Sequence, residues 1–441
     1  MDTNILTYGA ESGGQILCTH AIQSAIDACA ASGGGRVTIP SGTYRSGTIW
    51  LRSNVELHLA HGAVLKASAD LADYNPLDAY PQNYGYANEK WVGKHLIVAL
   101  ECTHTALTGT GIIDGSGEAF LAQTPREAVG YVWRDGFRSA ADAEKKRPGQ
   151  LICFVECTDV TVRDVTLTNM PCWGLFLHGC ESVSIRGIRV LNSPSAANSD
   201  GIDIDTCRFV TVSDCIIDTG DDAIAIRADA KRLNYRRTAC EYITISNCVL
   251  SSSASLFRLG VGNGRIAHVQ VCNITADRGG VALNLMTDYA GSGHVSISDV
   301  RFSGILAANL GFPICIHEGS GAEVRRVEIE NFSAECMACV RIASVHPGQM
   351  SGITLRNCAF SLIESPFELT PELRTRRGRT PIECCNVSEL TLDHVRFHVP
   401  EAMQSDWDSR NCFVQCTGMC NGTEISPQSA ADGCEIPPAW I

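Results

Sequence analysis

The chain has 441 residues, 45 % hydrophobic and 19 % charged, with a formal net charge of −13. Such a composition supplies enough apolar material for a core. Its acidic balance argues against nucleic acid as a partner and mildly against a strongly polyanionic polymer as substrate, and no run of eighteen or more apolar residues marks a membrane span.

From the amino terminus, Met1-Asp2-Thr3-Asn4 runs into domain-like sequence at Tyr8-Gly9-Ala10 with no basic segment and apolar stretch before it. This reads as a chain without a signal peptide, and a cytoplasmic location is expected. In that setting the 22 cysteines read as reduced thiols acting as small hydrophobes. Residues 19–29 predict an amphipathic helix, with Ala21, Ile22, Ala25, Ile26 and Cys29 at helical spacing and Gly33-Gly34-Gly35 ending it. It is expected to cover the open edge of a stack of strands. Trp91, after Tyr84 and Tyr86, is a candidate for stacking against a sugar or for anchoring a loop. Residues 118–150 read as a polar, partly helical insertion.

Beyond that insertion one pattern recurs: apolar residues at positions 0, 2, 5 and 7 of a short segment. Copies are Val160/Val162/Val165/Leu167, Val183/Ile185/Ile188/Val190, Val210/Val212/Cys215/Ile217 and Ile243/Ile245/Cys248/Leu250. After a weaker copy at Val269, Val271 and Ile274 come Val295/Ile297/Val300/Phe302, Val327/Ile329/Phe332/Ala334, Ile353/Leu355/Cys358/Phe360 and Leu390/Leu392/Val395/Phe397. Period 2 means strand, and the phase shift between positions 2 and 5 means a turn. Short strands repeating every two to three dozen residues predict an all-β solenoid, a parallel β-helix of about ten coils. Antiparallel sandwiches would show hairpin turns at closer spacing and no constant phase. The whole chain, 1–441, reads as one domain, with the coil stack over about 8–400 and a tail carrying Cys412, Cys416, Cys420 and Cys434. Their spacing is not that of a zinc module, and no metal is assigned.

Two neighbouring coils carry Asn198-Ser199-Asp200-Gly201-Ile202-Asp203 and Gly220-Asp221-Asp222-Ala223-Ile224. Aligning the alternations that follow stacks Asp200 beside Asp222 and Asp203 beside Ala225. Parallel strands lie about 4.8 Å apart, so Asp200, Asp221 and Asp222 are expected to crowd one patch. Crowded carboxylates resist ionising together, so one stays protonated as an acid while others remain charged. Glycosidic hydrolysis needs that pairing, an acid for the leaving oxygen and a base for water. A calcium site or a solvated acidic turn would use the same residues.

In order along the chain, Asn-x-Asp-Gly-x-Asp and Gly-Asp-Asp-x-Ile resemble the signature of glycoside hydrolase family 28, the polygalacturonases and relatives. The likeness runs from about residue 8 to about 400, through Gly34-Gly35-Arg36-Val37-Thr38-Ile39-Pro40, Gly111-Ile112-Ile113-Asp114-Gly115, Arg147-Pro148 and Asn169-Met170-Pro171-Cys172-Trp173. It implies a right-handed parallel β-helix acting by single displacement with inversion and no cofactor. By motif, Asp221 would be the general acid, and Asp200 and Asp222 would position and deprotonate water. Asn198 and Asp203, in the same motif, would contact substrate.

Departures from the family narrow the expectation. Where the resemblance leads one to expect Gly-His-Gly and then Arg-Ile-Lys, this chain has Ser255 in place of the histidine, and Ala282 and Asn284 in place of the two cations. Those cations resemble a clamp for a substrate carboxylate, so the sugar here is expected to be bound otherwise, with Asn284 a candidate substrate contact. Arg258 shares the outward phase of Asp203 and Ala225 and is a candidate to bind a carboxylate or to hold a catalytic aspartate ionised. Arg227 and His178 are weaker candidates, and His317-Glu318 reads either as a distal sugar contact or as an exposed turn. The main expectation is an exo-acting glycosidase on plant-derived or pectic oligosaccharides. A uronate lyase or epimerase, and a carbohydrate-binding β-helix without catalysis, use the same fold. The sequence does not set an oligomeric state.

Overall fold

The structure, a computed structural model, describes residues 1–86, 90–121, 146–234, 238–289, 293–365, 377–408 and 410–425. Most of the insertion expected across 118–150, and Cys434, lie outside the described residues. The chain divides into two compact units: described residues 1–121, 146–221 and 230–234 form the first, and those within 222–229 and 238–425 the second.

Both units are built from parallel ladders of short strands. In the first, Val37, Leu57, Leu107, Val162, Ile185 and Val212 stand in register from one coil to the next, and all are buried. A second ladder there aligns Ile49, Ile97, Ile152, Leu175 and Ile202. In the second unit Ile245, Val271, Phe302, Ile329, Leu355 and Leu392 repeat the pattern. A parallel in-register stack brings like residues over like, so each coil buries its inner face on its neighbours. Phe332 and Phe360, with ring centroids 5.3 Å apart, show that stacking in the core.

A single backbone conformation makes the phase shift read in the sequence. The residue at position 4 has φ between 53° and 67° in every copy: Asp164, Gly187, Asp214, Asn247, Asn273, Gly304, Asn331, Asn357 and His394. One left-handed residue turns the chain between two short strands, and Gly, Asn and Asp reach that region at least cost. The register also corrects one copy. Val300, Phe302, Ile305 and Ala307, not the set starting at Val295, stand opposite Val327, Ile329, Phe332 and Ala334. Val295 and Ile297 are buried too, so alternation by itself could not distinguish the two phases; backbone pairing does.

The helix predicted over 19–29 spans Thr19–Ala31 and buries Ala21, Ile22, Ala25, Ile26 and Cys29. The cysteines at inward coil positions, Cys215, Cys248 and Cys358, are buried, as their phase implies. Cys412 is a correction: it is disulfide-bonded. It lies on a half-buried strand outside the phased repeat, where the argument from inward position does not apply.

His95 in the first unit is buried, with Nδ1 2.9 Å from the Gln150 carbonyl and Nε2 3.0 Å from Asn83 Oδ1. Burial outweighs the Gln150 contact and pulls its pKa down from 6.5 to about 4. The folded state therefore refuses a proton that the unfolded chain accepts. Stability from this group is complete above about pH 6.5 and is lost as pH falls towards 4, by on the order of 2–3 kcal/mol. Denaturation from pH 7.5 to 4 is expected to show that slope, and His95→Gln to make it shallower.

Candidate active site

In the first unit the Asp200 and Asp221 loops are tied together by small polar groups. The Ser199 hydroxyl donates to the Ala196 carbonyl at 2.8 Å and accepts from Gly220 N–H at 3.0 Å. Asn198 N–H donates to Asp221 Oδ2 at 3.1 Å, and Thr219 Oγ1 donates to the Asp221 carbonyl at 2.7 Å. Asn198 itself has φ 52°, a left-handed conformation that asparagine tolerates. Beneath it Arg147 is fully buried and donates to the carbonyls of Pro171 (2.6 Å) and Ala197 (2.9 Å) and to Asn198 Oδ1 (2.7 Å). In the sequence Arg147 is marked only by the family resemblance; its role as a positioning residue follows from this geometry.

Gly220 is required sterically. A Cβ there would stand 2.2 Å from the Ala196 carbonyl oxygen and 2.8 Å from that of Ser193. Gly220→Ala must push the Asp221 loop off the Ala196 turn. A loss of about 1–3 kcal/mol is expected, with activity falling further than stability, as denaturation and rate assays on the same preparation would show.

Asp200 and Asp221 are buried carboxylates of the first unit with oxygens within 4.8 Å of each other, and Asp222, the next residue in the chain, is buried as well. Asp222 begins a segment of the second unit and has its own partners there. Its Oδ1 accepts from Ser255 N–H at 3.0 Å, and its Oδ2 is bonded by Arg258 Nε. Both side chains of that ion pair are 5 % exposed. Arg258 also donates from Nη2 to Ser255 Oγ at 3.4 Å and lies 4.5 Å from the centroid of the Tyr289 ring. Asn284 stands beside Arg258 in register and donates from Nδ2 to Ser255 Oγ at 3.1 Å. Arg258, on the outward phase of its strand, is thus held against Asp222, and Tyr289 is a contact that the sequence did not suggest.

Other candidates fall in different places. Asp203 is buried opposite Phe176, and His178 is buried opposite Asp205 with its ring stacked 5.2 Å from Phe176. Trp91 is 3 % exposed, packed 5.7 Å from Trp173 and 5.2 Å from Tyr84; its ring is engaged in an aromatic cluster with Tyr80 and Phe176. Arg227 is half-buried in the strand Ile224–Ala228, where the register slips between Ile226 and Ala228. His317 and Glu318 are not an exposed turn: both are buried. Glu318 accepts from Gly321 N–H, Ser344 Oγ and His346 N–H at 2.5, 2.6 and 3.1 Å. Burial would raise its pKa, but these bonds together hold it below the usual carboxylate value. Glu318 therefore tethers a turn.

Comparison with known proteins agrees with this geometry. The family model described as glycosyl hydrolases family 28 matches residues 29–331. A probable polygalacturonase of Vitis vinifera is 24 % identical over 418 residues, covering 88 % of this chain and 80 % of that protein. An exo-poly-alpha-D-galacturonosidase of Dickeya chrysanthemi is 30 % identical over 257 residues, 51 % of this chain and 42 % of the relative. Among solved structures, a hyperthermoactive exopolygalacturonase from Thermotoga maritima aligns over 96 % of this chain and 93 % of its own, with TM-score 0.65 and 21 % identity. A family 28 exopolygalacturonase from Yersinia enterocolitica aligns over 94 % and 78 %, with TM-score 0.64 and 17 % identity. The ladders are therefore those of a parallel β-helix, and with its paired aspartate motifs in place the chain belongs to glycosyl hydrolase family 28.

Proposed function

We propose that this glycoside hydrolase cleaves oligosaccharides from the chain end by acid/base catalysis, with Asp221 as general acid and Asp200 and Asp222 positioning and deprotonating water. The observation that carries the reading is the pair of buried carboxylates Asp200 and Asp221, with oxygens within 4.8 Å of each other, followed in the chain by buried Asp222. Asp221 and Asp222 are held differently: Asp221 accepts an N–H from Asn198, while Asp222 accepts one from Ser255 and is ion-paired with Arg258. Unequal surroundings are how one carboxyl serves as acid while its neighbours stay charged. Inversion is proposed from the family resemblance. The spacing does not argue for it, because the oxygens within 4.8 Å stand closer than the roughly 6.5–9.5 Å between acid and base carboxyl groups in most inverting enzymes. End-wise action is supported by the exo-acting relatives named above.

The test is a panel of aryl glycosides and pectic oligosaccharides assayed with the wild type, Asp221→Asn and Asp222→Asn. Proton NMR of the first-formed anomer reads inversion, and product length reads end-wise action. Full activity in both variants on the substrate found would sink the mechanism.

A further inference from the structure

On the outward face of the second unit, Ala225, Arg258, Asn284 and Cys315 stand in one row across successive strands. Asn284 is 3 % exposed, and its Oδ1 has no hydrogen-bond partner among the described residues. Its Nδ2 is committed to Ser255 Oγ, which also receives Arg258 Nη2. An oxygen that accepts from two nitrogens turns its own hydrogen elsewhere, and among the described residues no acceptor takes it. The two buried side chains together hold one unmatched acceptor, Asn284 Oδ1, and one unmatched donor, the Ser255 hydroxyl, among the described residues.

We infer that Ser255 and Asn284 are a hydroxyl-reading pair, so that the sugar they face is an uncharged one and not a uronate. The inference rests on the hydrolase reading above and names its substrate class. A sugar hydroxyl donates and accepts at once, and so satisfies both members of the pair. A carboxylate only accepts; it would set its lone pairs against those of Asn284 Oδ1 and leave that buried acceptor without a donor. The cation on this face does not reverse the preference. Arg258 is bonded to Asp222, so an incoming carboxylate would have to compete with a buried ion pair already formed. Turning the Asn284 amide over would aim a donor outward and suit a carboxylate, so substrate choice reads the amide orientation directly.

The experiment uses matched glycoside pairs that differ only in bearing CH2OH or COOH at C5: aryl α-galactoside against aryl α-galacturonide, and the corresponding gluco pair, each with α- and β-anomers. Wild-type kcat/KM is expected to be at least tenfold higher for the neutral member of whichever pair is cleaved. Asn284→Ala should raise KM for that member by roughly ten- to a hundredfold with a smaller change in kcat. Asn284→Arg should narrow the gap between the members. Calorimetry of Asp221→Asn with free galactose, galacturonate, glucose and glucuronate supplies a readout independent of turnover, with the neutral sugars expected to bind more tightly. Preference for the uronate members in rate or binding overturns the inference and leaves the hydrolase reading standing. If no member is cleaved and none is bound, both fail.

Discussion

Asp221→Asn is expected to lower kcat on natural oligosaccharides by about 10²–10⁴-fold, the usual contribution of a positioned general acid. Asparagine keeps the shape of the side chain and still offers an oxygen to Asn198 N–H, which lies 3.1 Å from Asp221 Oδ2. The fold should therefore survive while the transferable proton is gone. The loss should depend on the leaving group. A sugar alkoxide needs protonation to depart, whereas a dinitrophenolate does not, so the deficit on an activated aryl glycoside should shrink towards tenfold or less. An equal loss on both substrates would remove Asp221 from the acid role and leave it a positioning one.

Arg258→Ala is expected to cost about 3–5 kcal/mol of stability, because it leaves Asp222 buried and charged without its partner. Both side chains are 5 % exposed, so water cannot replace the guanidinium without opening the site. Arg258→Lys keeps the charge but cannot reproduce the fork that meets Asp222 and Ser255 or the flat face against Tyr289, so partial rescue is expected. The double replacement Asp222→Asn with Arg258→Met removes both charges. It should recover most of the stability, since a buried ion pair contributes little net when both halves are replaced, yet remain inactive. Urea denaturation and rate assays on the three variants separate the roles. If Arg258→Ala denatures like the wild type, Arg258 is not holding a buried charge.

Periodicity carried the fold into view because a coil stack writes its inner face into the sequence at fixed offsets. Val160, Val162, Val165 and Leu167 need only be read against Val183, Ile185, Ile188 and Val190 to show two strands and a turn. The same logic failed at Val295, where five residues of extra alternation offered two phases and burial accepted both. Pairing with Val327 and Ile329 selected one. The earlier coils at Val37, Leu57 and Leu107 follow at intervals of 20 and 50 residues, outside the spacing of the later copies, although their register is as regular as the rest.

At the site, the sequence by itself determined the residue types: paired aspartates in two motifs, a cation on the outward phase, and neutral Ser255, Ala282 and Asn284 where the family has His, Arg and Lys. Those are matters of spacing, and spacing is legible in one dimension. Only the tertiary structure decided what each group is bonded to. It joined Arg258 to Asp222, bonded Arg147 to Asn198, enclosed Trp91 among aromatic rings and left the buried Asn284 Oδ1 without a donor among the described residues. Hydrogen bonds and burial depend on distances of a few tenths of an ångström between residues far apart in the chain, and no periodic pattern encodes them.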